Sequence, residues 1–192
     1  MRPSWLREAE RIDFALYAAV AATPTPTLDR GMARIAQAAD HSAMWLGTAA
    51  VLATFRGGRG RRAAAAGVAS VAATSLVVNA VLKPLGGRAR PDPLAEGVPL
   101  ARQVRMPRST SFPSGHAASA FAFATSIGRV LPREAAALHP VAALVAYSRV
   151  HTGVHYPVDA IAGGLVGGAL APASSAAVAR WRTRRRGSRR TP

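Results

Sequence analysis

Cysteine is absent from the 192 residues, which excludes disulfides and thiolate metal ligands and leaves the fold indifferent to redox compartment. Lysine is nearly absent too: of 25 basic residues only one, Lys83, is not arginine. Acidic residues number nine, so the formal net charge reaches +16, and after Glu134 a single carboxylate, Asp159, remains. A nucleic-acid-binding chain pairs such charge with aromatic stacking platforms or a groove-reading motif. Neither accompanies it here, so nucleic acid is not expected as a partner.

Charge of either sign is missing from two twenty-residue runs, Ala63 to Leu82 and Ala160 to Ala179. Each is about as long as the roughly 30 Å hydrocarbon layer requires. A helix of a soluble bundle needs a polar stripe toward water, and these runs have no charged one. Mean hydropathy is only +0.12 although 49% of residues are hydrophobic, because the arginines collect between the runs. Arg56 to Arg62 holds four of them and Arg180 to Arg190 seven, the placement of cytoplasmic juxtamembrane charge facing anionic lipid. At the N-terminus, Glu8, Glu10 and Asp13 offset Arg2, Arg7 and Arg11 ahead of the apolar stretch Phe14 to Ala22. A secretory signal would carry net positive charge there, so a retained amphipathic or interfacial helix is expected.

One domain is expected from the length. Ser4 to Ala22 reads as a helix stopped by Thr23-Pro24-Thr25-Pro26, Leu28 to Ala39 as a second amphipathic one, and Ala43 to Phe55, extended backward through His41, as the first apolar helix. After a basic loop at 56–62 comes the helix of the first uncharged run. Pro84 to Thr110 is a connector rich in glycine, proline and arginine, and a loop of that length inside a compact domain is usually functional. Ser114 to Leu131, Ala135 to Val150 and Pro157 to Ala179 complete the helices, with Pro172 placed to kink the last. The expected fold is an all-α, multi-pass transmembrane bundle of about five to six helices with its active site at one membrane face. Residues 1–42 form interfacial helices, 43–179 the membrane core and 180–192 a basic cytoplasmic tail. The groups Arg56 to Arg62, Arg129 with Arg133, and Arg180 to Arg190 contain thirteen arginines and alternate with the loops described next. Placing them in the cytoplasm puts those loops on the extracytoplasmic face of the plasma membrane. Gly163, Gly164, Gly167 and Gly168 are spaced for close helix packing within the domain, and no homo-oligomer is indicated. Asn79 is expected to hydrogen-bond inside the bundle near Lys83, without a catalytic role.

Three segments carry the chemistry: Lys83 followed by Arg90-Pro91; Pro113-Ser114-Gly115-His116; and Ser148-Arg149 followed by His155 and Asp159. Lys83, Arg90 and Arg149 supply fixed positive charge. Ser114 and Gly115 offer a hydroxyl and backbone N–H groups at a helix start, which suits an anionic phosphoryl group. His116 and His155 supply proton transfer and nucleophilic attack, with Asp159 the one nearby carboxylate left to orient His155. The rival metal reading uses His151, His155 and Asp159 at intervals of four, but Pro157 disfavours helical geometry at Tyr156 and separates them. A serine-hydrolase reading lacks the G-x-S-x-G elbow at Ser114. His41, His139 and His151 are expected to be solvated or satisfied side chains, and Arg88, Arg102, Arg105 and Arg108 surface charge or headgroup contacts.

In their order and spacing the three motifs resemble those of the type 2 phosphatidic acid phosphatase superfamily, which includes lipid phosphate phosphatases, vanadium-dependent haloperoxidases and bacterial acid phosphatases. The resemblance covers Lys83 to Asp159 and implies an integral membrane phosphatase acting on a lipid phosphate or diphosphate, such as a polyprenyl phosphate or a phosphatidic-acid-like lipid. It also implies roles: His155 attacks phosphorus to give a phosphohistidine, Asp159 fixes its tautomer, His116 protonates the departing oxygen, and Lys83, Arg90, Ser114, Gly115 and Arg149 hold the phosphate. It implies no metal or other cofactor; the partners expected are the lipid phosphate substrate and membrane lipids. A transferase passing the phosphoryl group to a lipid or sugar acceptor is the alternative within the family. A non-catalytic scaffold recruiting partners through its arginine tail is the alternative outside it.

Overall fold

The computed structural model describes residues 3–187, which fold into seven helices without a strand among the described residues. They are α1 (Ser4–Ala22), α2 (Pro26–Ala38), α3 (Ala43–Phe55), α4 (Gly57–Gly86), α5 (Gly115–Gly128), α6 (Pro132–His151) and α7 (Pro157–Gly187). Proline stands in the first turn of α2, α6 and α7, where its missing N–H costs nothing. Residues 180–187 continue α7, so the basic tail begins as helix; its remainder, 188–192, lies outside the described residues.

Several boundaries differ from expectation: α4 runs on to Gly86, into the expected connector, α5 ends at Gly128 and not Leu131, and α6 begins at Pro132 and not Ala135. The basic segment 56–62 is not a loop: the chain turns from α3 into α4 at Arg56, with φ of −108° and ψ of 15°, and Gly57, whose φ of +55° is a conformation glycine adopts without steric cost. Backward extension of α3 through His41 also fails. Asp40–Ser42 forms a 3₁₀ turn in which His41 and Ser42 take φ of 52° and 61°, strained values for residues with a Cβ. Further along, α4 widens into a π-turn at Val78–Leu82, just before Lys83.

The short α5 is the hub. Ala117, Ala118, Ala120, Ala122, Phe123, Ala124 and Ile127 are all fully buried, and α4, α6 and α7 pack around them. Trp45 of α3 closes the far side, its ring 5.4 Å from that of Phe123. Small residues set the spacing: a Cβ on Gly163 would lie 2.3 Å from the Ser114 carbonyl oxygen, and one on Gly167 2.0 Å from that of Ala118. Gly163, Gly164 and Gly167 are therefore used inside the chain, as expected, whereas Gly168 faces open space. Large apolar side chains point outward instead, among them Leu46, Val51 and Phe55 on α3, Leu76 and Val81 on α4, and Ile161 and Leu165 on α7. Helices α4 and, to Arg180, α7 are long and apolar enough to cross a membrane. From Arg62 to Lys83 the rise along α4 is about 32 Å. That distance separates an arginine-rich end, where Arg59 donates to the Val130 carbonyl at 2.9 Å and Arg56 pairs with Glu134, from the end that gathers the three motifs.

Gly167→Ala should lower stability by about 2 kcal/mol or more through backbone overlap, whereas Gly168→Ala, whose Cβ would meet nothing within 4 Å, should stay within about 0.5 kcal/mol of the parent. Thermal unfolding of the two purified variants in detergent checks the contrast.

Candidate active site

The motif segments converge because three helices end or begin together. Arg149 lies in the last turn of α6, His155 in the loop after it, and Asp159 in the first turn of α7. Ser114 caps α5, its hydroxyl accepting from the Ala117 N–H at 3.5 Å, and its own N–H donates to the Asp159 carbonyl at 2.9 Å. That bond pins the start of α5 to the start of α7. His116 follows in the first turn of α5, and Lys83 enters from the end of α4.

His155 is 1% exposed. Arg90 Nη1 stands 3.0 Å from its Nε2; guanidinium only donates, so Nε2 accepts and the ring proton sits on Nδ1. There it faces Asp159 Oδ2 at 3.5 Å and the Ser111 hydroxyl at 3.3 Å, while Ser111 also donates to Asp159 Oδ2. Burial pushes the imidazole pKa down to about 3; Asp159 opposes the shift, and the charges of Arg90 and Arg149 add to it. A neutral ring with its Nε2 lone pair directed at the cations has the form a nucleophile needs.

The cations are held from behind. Lys83 Nζ donates to the Ser109 hydroxyl at 2.7 Å, and Arg90 Nε to the Ser109 carbonyl at 2.7 Å. Arg90 Nη1 also donates to the Val154 carbonyl at 2.7 Å. Arg149, 1% exposed, donates from Nη1 to the Ala36 carbonyl at 3.2 Å, and its buried Nε has no partner. An unpaired buried guanidinium N–H is costly, and an anion would relieve it. Lys83, Arg90, Gly115 and His116 line a cavity of about 210 Å³. The Gly115 and His116 N–H groups, which open α5, have no intrahelical acceptor and add donors to the same wall. Ser114, its hydroxyl buried as the helix cap, does not line that cavity, and neither do the buried Arg149 and His155, which stand behind its wall.

Several site neighbours escaped the sequence reading. Asp40 Oδ1 accepts from His116 Nε2 at 2.9 Å and lies 3.7 Å from Arg149 Nη1. Ser111, bonded to both His155 and Asp159, lies two residues ahead of Pro113-Ser114-Gly115-His116, and that proximity is the one sequence signal by which it was findable. Arg88 is not surface charge: it donates to Asp159 Oδ1 at 3.0 Å, pairs with Asp13 Oδ2 at 2.6 Å and stacks 4.1 Å over Tyr156. Asp13, buried on α1, also accepts from the Val158 N–H at 2.8 Å. Arg102 is fully buried, its Nε donating to Asp29 Oδ1 at 2.8 Å. That carboxylate oxygen also lies 3.2 Å from the buried His151 Nε2. These two clusters fasten α1, α2 and the connector around the motif residues. His139 is satisfied by the Ala135 carbonyl at 2.8 Å, and His41 is exposed on the cavity rim.

A sequence model of the PAP2 superfamily matches residues 64–183. The chain is 33% identical over 186 residues to the decaprenylphosphoryl-5-phosphoribose phosphatase of Mycobacterium tuberculosis strains CDC 1551 / Oshkosh and H37Rv, covering 93% of this chain and 99% of that protein. Among solved structures, Aquifex aeolicus LpxE superposes with a TM-score of 0.69 at 26% identity, covering 85% of this chain and 94% of that one. The transmembrane PAP2 type phosphatidylglycerolphosphate phosphatase from Bacillus subtilis gives 0.63 at 24% identity, with coverage of 91% and 87%, and at that identity supports the fold alone.

The depressed pKa of His155 fixes the sign of a pH effect. Between the unfolded value near 6.5 and about 3, the unfolded chain binds the proton that the folded chain refuses, so stability falls as pH drops through that window. Melting temperature measured at pH 7.5 and pH 5 should fall more for the parent protein than for His155→Asn.

Proposed function

The chain belongs to the PAP2 superfamily and is a phosphatase; on that premise we propose that it crosses the plasma membrane several times and hydrolyses a lipid phosphate or diphosphate through a phosphohistidine at His155. The observation that carries the reading is the orientation of that one ring, with Nε2 toward Arg90, Arg149 adding its field, and Nδ1 toward Asp159. Nε2 attacks phosphorus as the bond to the departing oxygen breaks, and His116 gives that oxygen its proton. To free the lone pair, Arg90 moves its Nη1 donor from Nε2 to a phosphate oxygen. Lys83, Arg90, Arg149 and the Gly115 N–H neutralise the equatorial oxygens, a contribution that dominates many such reactions, while Ser114 sets the donor geometry as helix cap. His116 then takes a proton from water, which attacks phosphorus, and the N–P bond breaks to release inorganic phosphate. None of these steps assigns a role to a metal.

The arginine-rich end is assigned to the cytoplasm by the positive-inside bias, so the site opens at the extracytoplasmic face. The name of the mycobacterial relative favours a polyprenyl-linked phosphate over a phosphatidic-acid-like lipid. Transfer to an alcohol in place of water uses the same geometry and is the second reading. The non-catalytic scaffold is set aside with the family assignment.

Purified protein should release phosphate from a panel of polyprenyl and glycerol lipid phosphates, with free and transferred phosphate scored separately. His155→Ala should abolish release without unfolding the protein, and Asp159→Asn should lower it by roughly three to four powers of ten through loss of the correct tautomer. Near-normal turnover by His155→Ala would overturn the mechanism.

A further inference from the structure

We propose that the cavity beside the phosphate cluster is a hydroxyl-binding subsite, formed by Asn79, Ser75, Ser119 and the His41–Ser42 turn, that recognises a sugar-like alcohol as the leaving group. The inference rests on the phosphatase reading above and deepens it by naming what the phosphate is removed from.

The cavity has a direction. Lys83, Asn79 and Ser75 follow one another at intervals of four along α4, and all three line it. Asn79 therefore lies about 6 Å and Ser75 about 12 Å from Lys83 toward the bilayer centre. From the other side Ser119 stands one turn below Gly115 on α5, its hydroxyl 3.3 Å from that of Ser75. The phosphate belongs at the cationic end and His116, the proton donor to the departing oxygen, lies beside the descent. A group attached to that oxygen and extending along α4 lies against Asn79, Ser75 and Ser119.

That wall is polar where a lipid tail needs none. Asn79 uses one N–H on the Ser75 carbonyl at 2.9 Å, which leaves its second N–H and its carbonyl oxygen to a ligand. Contrary to expectation, Asn79 is not satisfied inside the bundle but exposed at the cavity wall; an amide left against hydrocarbon on a membrane helix is costly, and a polar ligand in the cavity removes the cost. Two unusual backbone features present the same wall: the π-turn Val78–Leu82 carries Asn79, and the left-handed His41 and Ser42 form the opposite rim. Both kinds of irregularity concentrate at functional sites. Adjacent donors and acceptors from an amide and several hydroxyls match the neighbouring hydroxyls of a sugar ring. A bare isoprenyl chain in that position offers nothing to the second Asn79 N–H, its carbonyl oxygen or the remaining hydroxyl lone pairs, and each polar group it covers without a partner costs about 1–3 kcal/mol.

The test compares two synthetic substrates on one isoprenyl chain: the isoprenyl monophosphate, and the isoprenyl phosphoryl pentose bearing a terminal phosphate. Their kcat/KM values for phosphate release are measured for the parent protein, Asn79→Leu and the milder Ser75→Ala. The parent should prefer the sugar phosphate, and Asn79→Leu should lower the ratio of the two values at least about tenfold, the equivalent of one lost hydrogen bond, with Ser75→Ala lowering it less. Equal proportional losses on both substrates in both variants would overturn the subsite. So would a parent protein that prefers the monophosphate, an outcome that leaves the phosphatase reading standing. Release from neither substrate would overturn both.

Discussion

Holding one imidazole neutral inside a cluster of positive charge is the constraint on which the site depends. His155 is buried beside Arg90 and within the field of Arg149, so its protonated form is disfavoured, while Asp159 and Ser111 keep the ring proton on the side away from the cations. Either arrangement alone is inadequate. Cations without the carboxylate leave the ring free to turn, and a carboxylate without the cations leaves no reason for phosphate to bind. Asp159 must itself stay put, and it is held on three sides, by Arg88, by Ser111 and by the Tyr156 N–H at 3.0 Å.

The bundle serves that arrangement by using its smallest residues at the centre and its largest at the periphery. Alanine on α5 and glycine on α7 let two backbones approach closely enough for the Ser114 N–H to reach the Asp159 carbonyl. A water-soluble protein with Leu46, Phe55, Leu76 and Leu165 facing outward would expose a large apolar surface; lipid removes that penalty. The distribution that identifies the solvent as membrane is thus the one that brings the motif loops together.

Local signals were readable in the sequence and distant pairings were not. The limits of α1 and α3 follow from the proline-rich stop after Ala22 and the apolar run from Ala43 to Phe55. The convergence of Lys83, Arg90, His116, Arg149, His155 and Asp159 follows from motif order and helix alternation. Arg88 and Arg102 gave no sign of being structural, because an arginine beside a membrane is equally at home in water or on a headgroup. What decides their place is Asp13 or Asp29, more than seventy positions away. Asp40 was hidden for the same reason, 76 positions from His116. The basic segment after Phe55 looked like a loop from its glycines, yet the turn is confined to Arg56 and Gly57, and arginine then continues readily as helix.

The central claim is that His155 carries the phosphoryl group between the two half-reactions. It is tested most directly by mixing the purified protein with ³²P-labelled lipid phosphate, quenching rapidly in base, where phosphohistidine survives, and mapping the label by peptide mass spectrometry. A transient phosphate is expected on the peptide containing His155, accumulating in one turnover and absent from His155→Ala. Label on His116 instead, or full turnover with no labelled protein at any quench time, would contradict it.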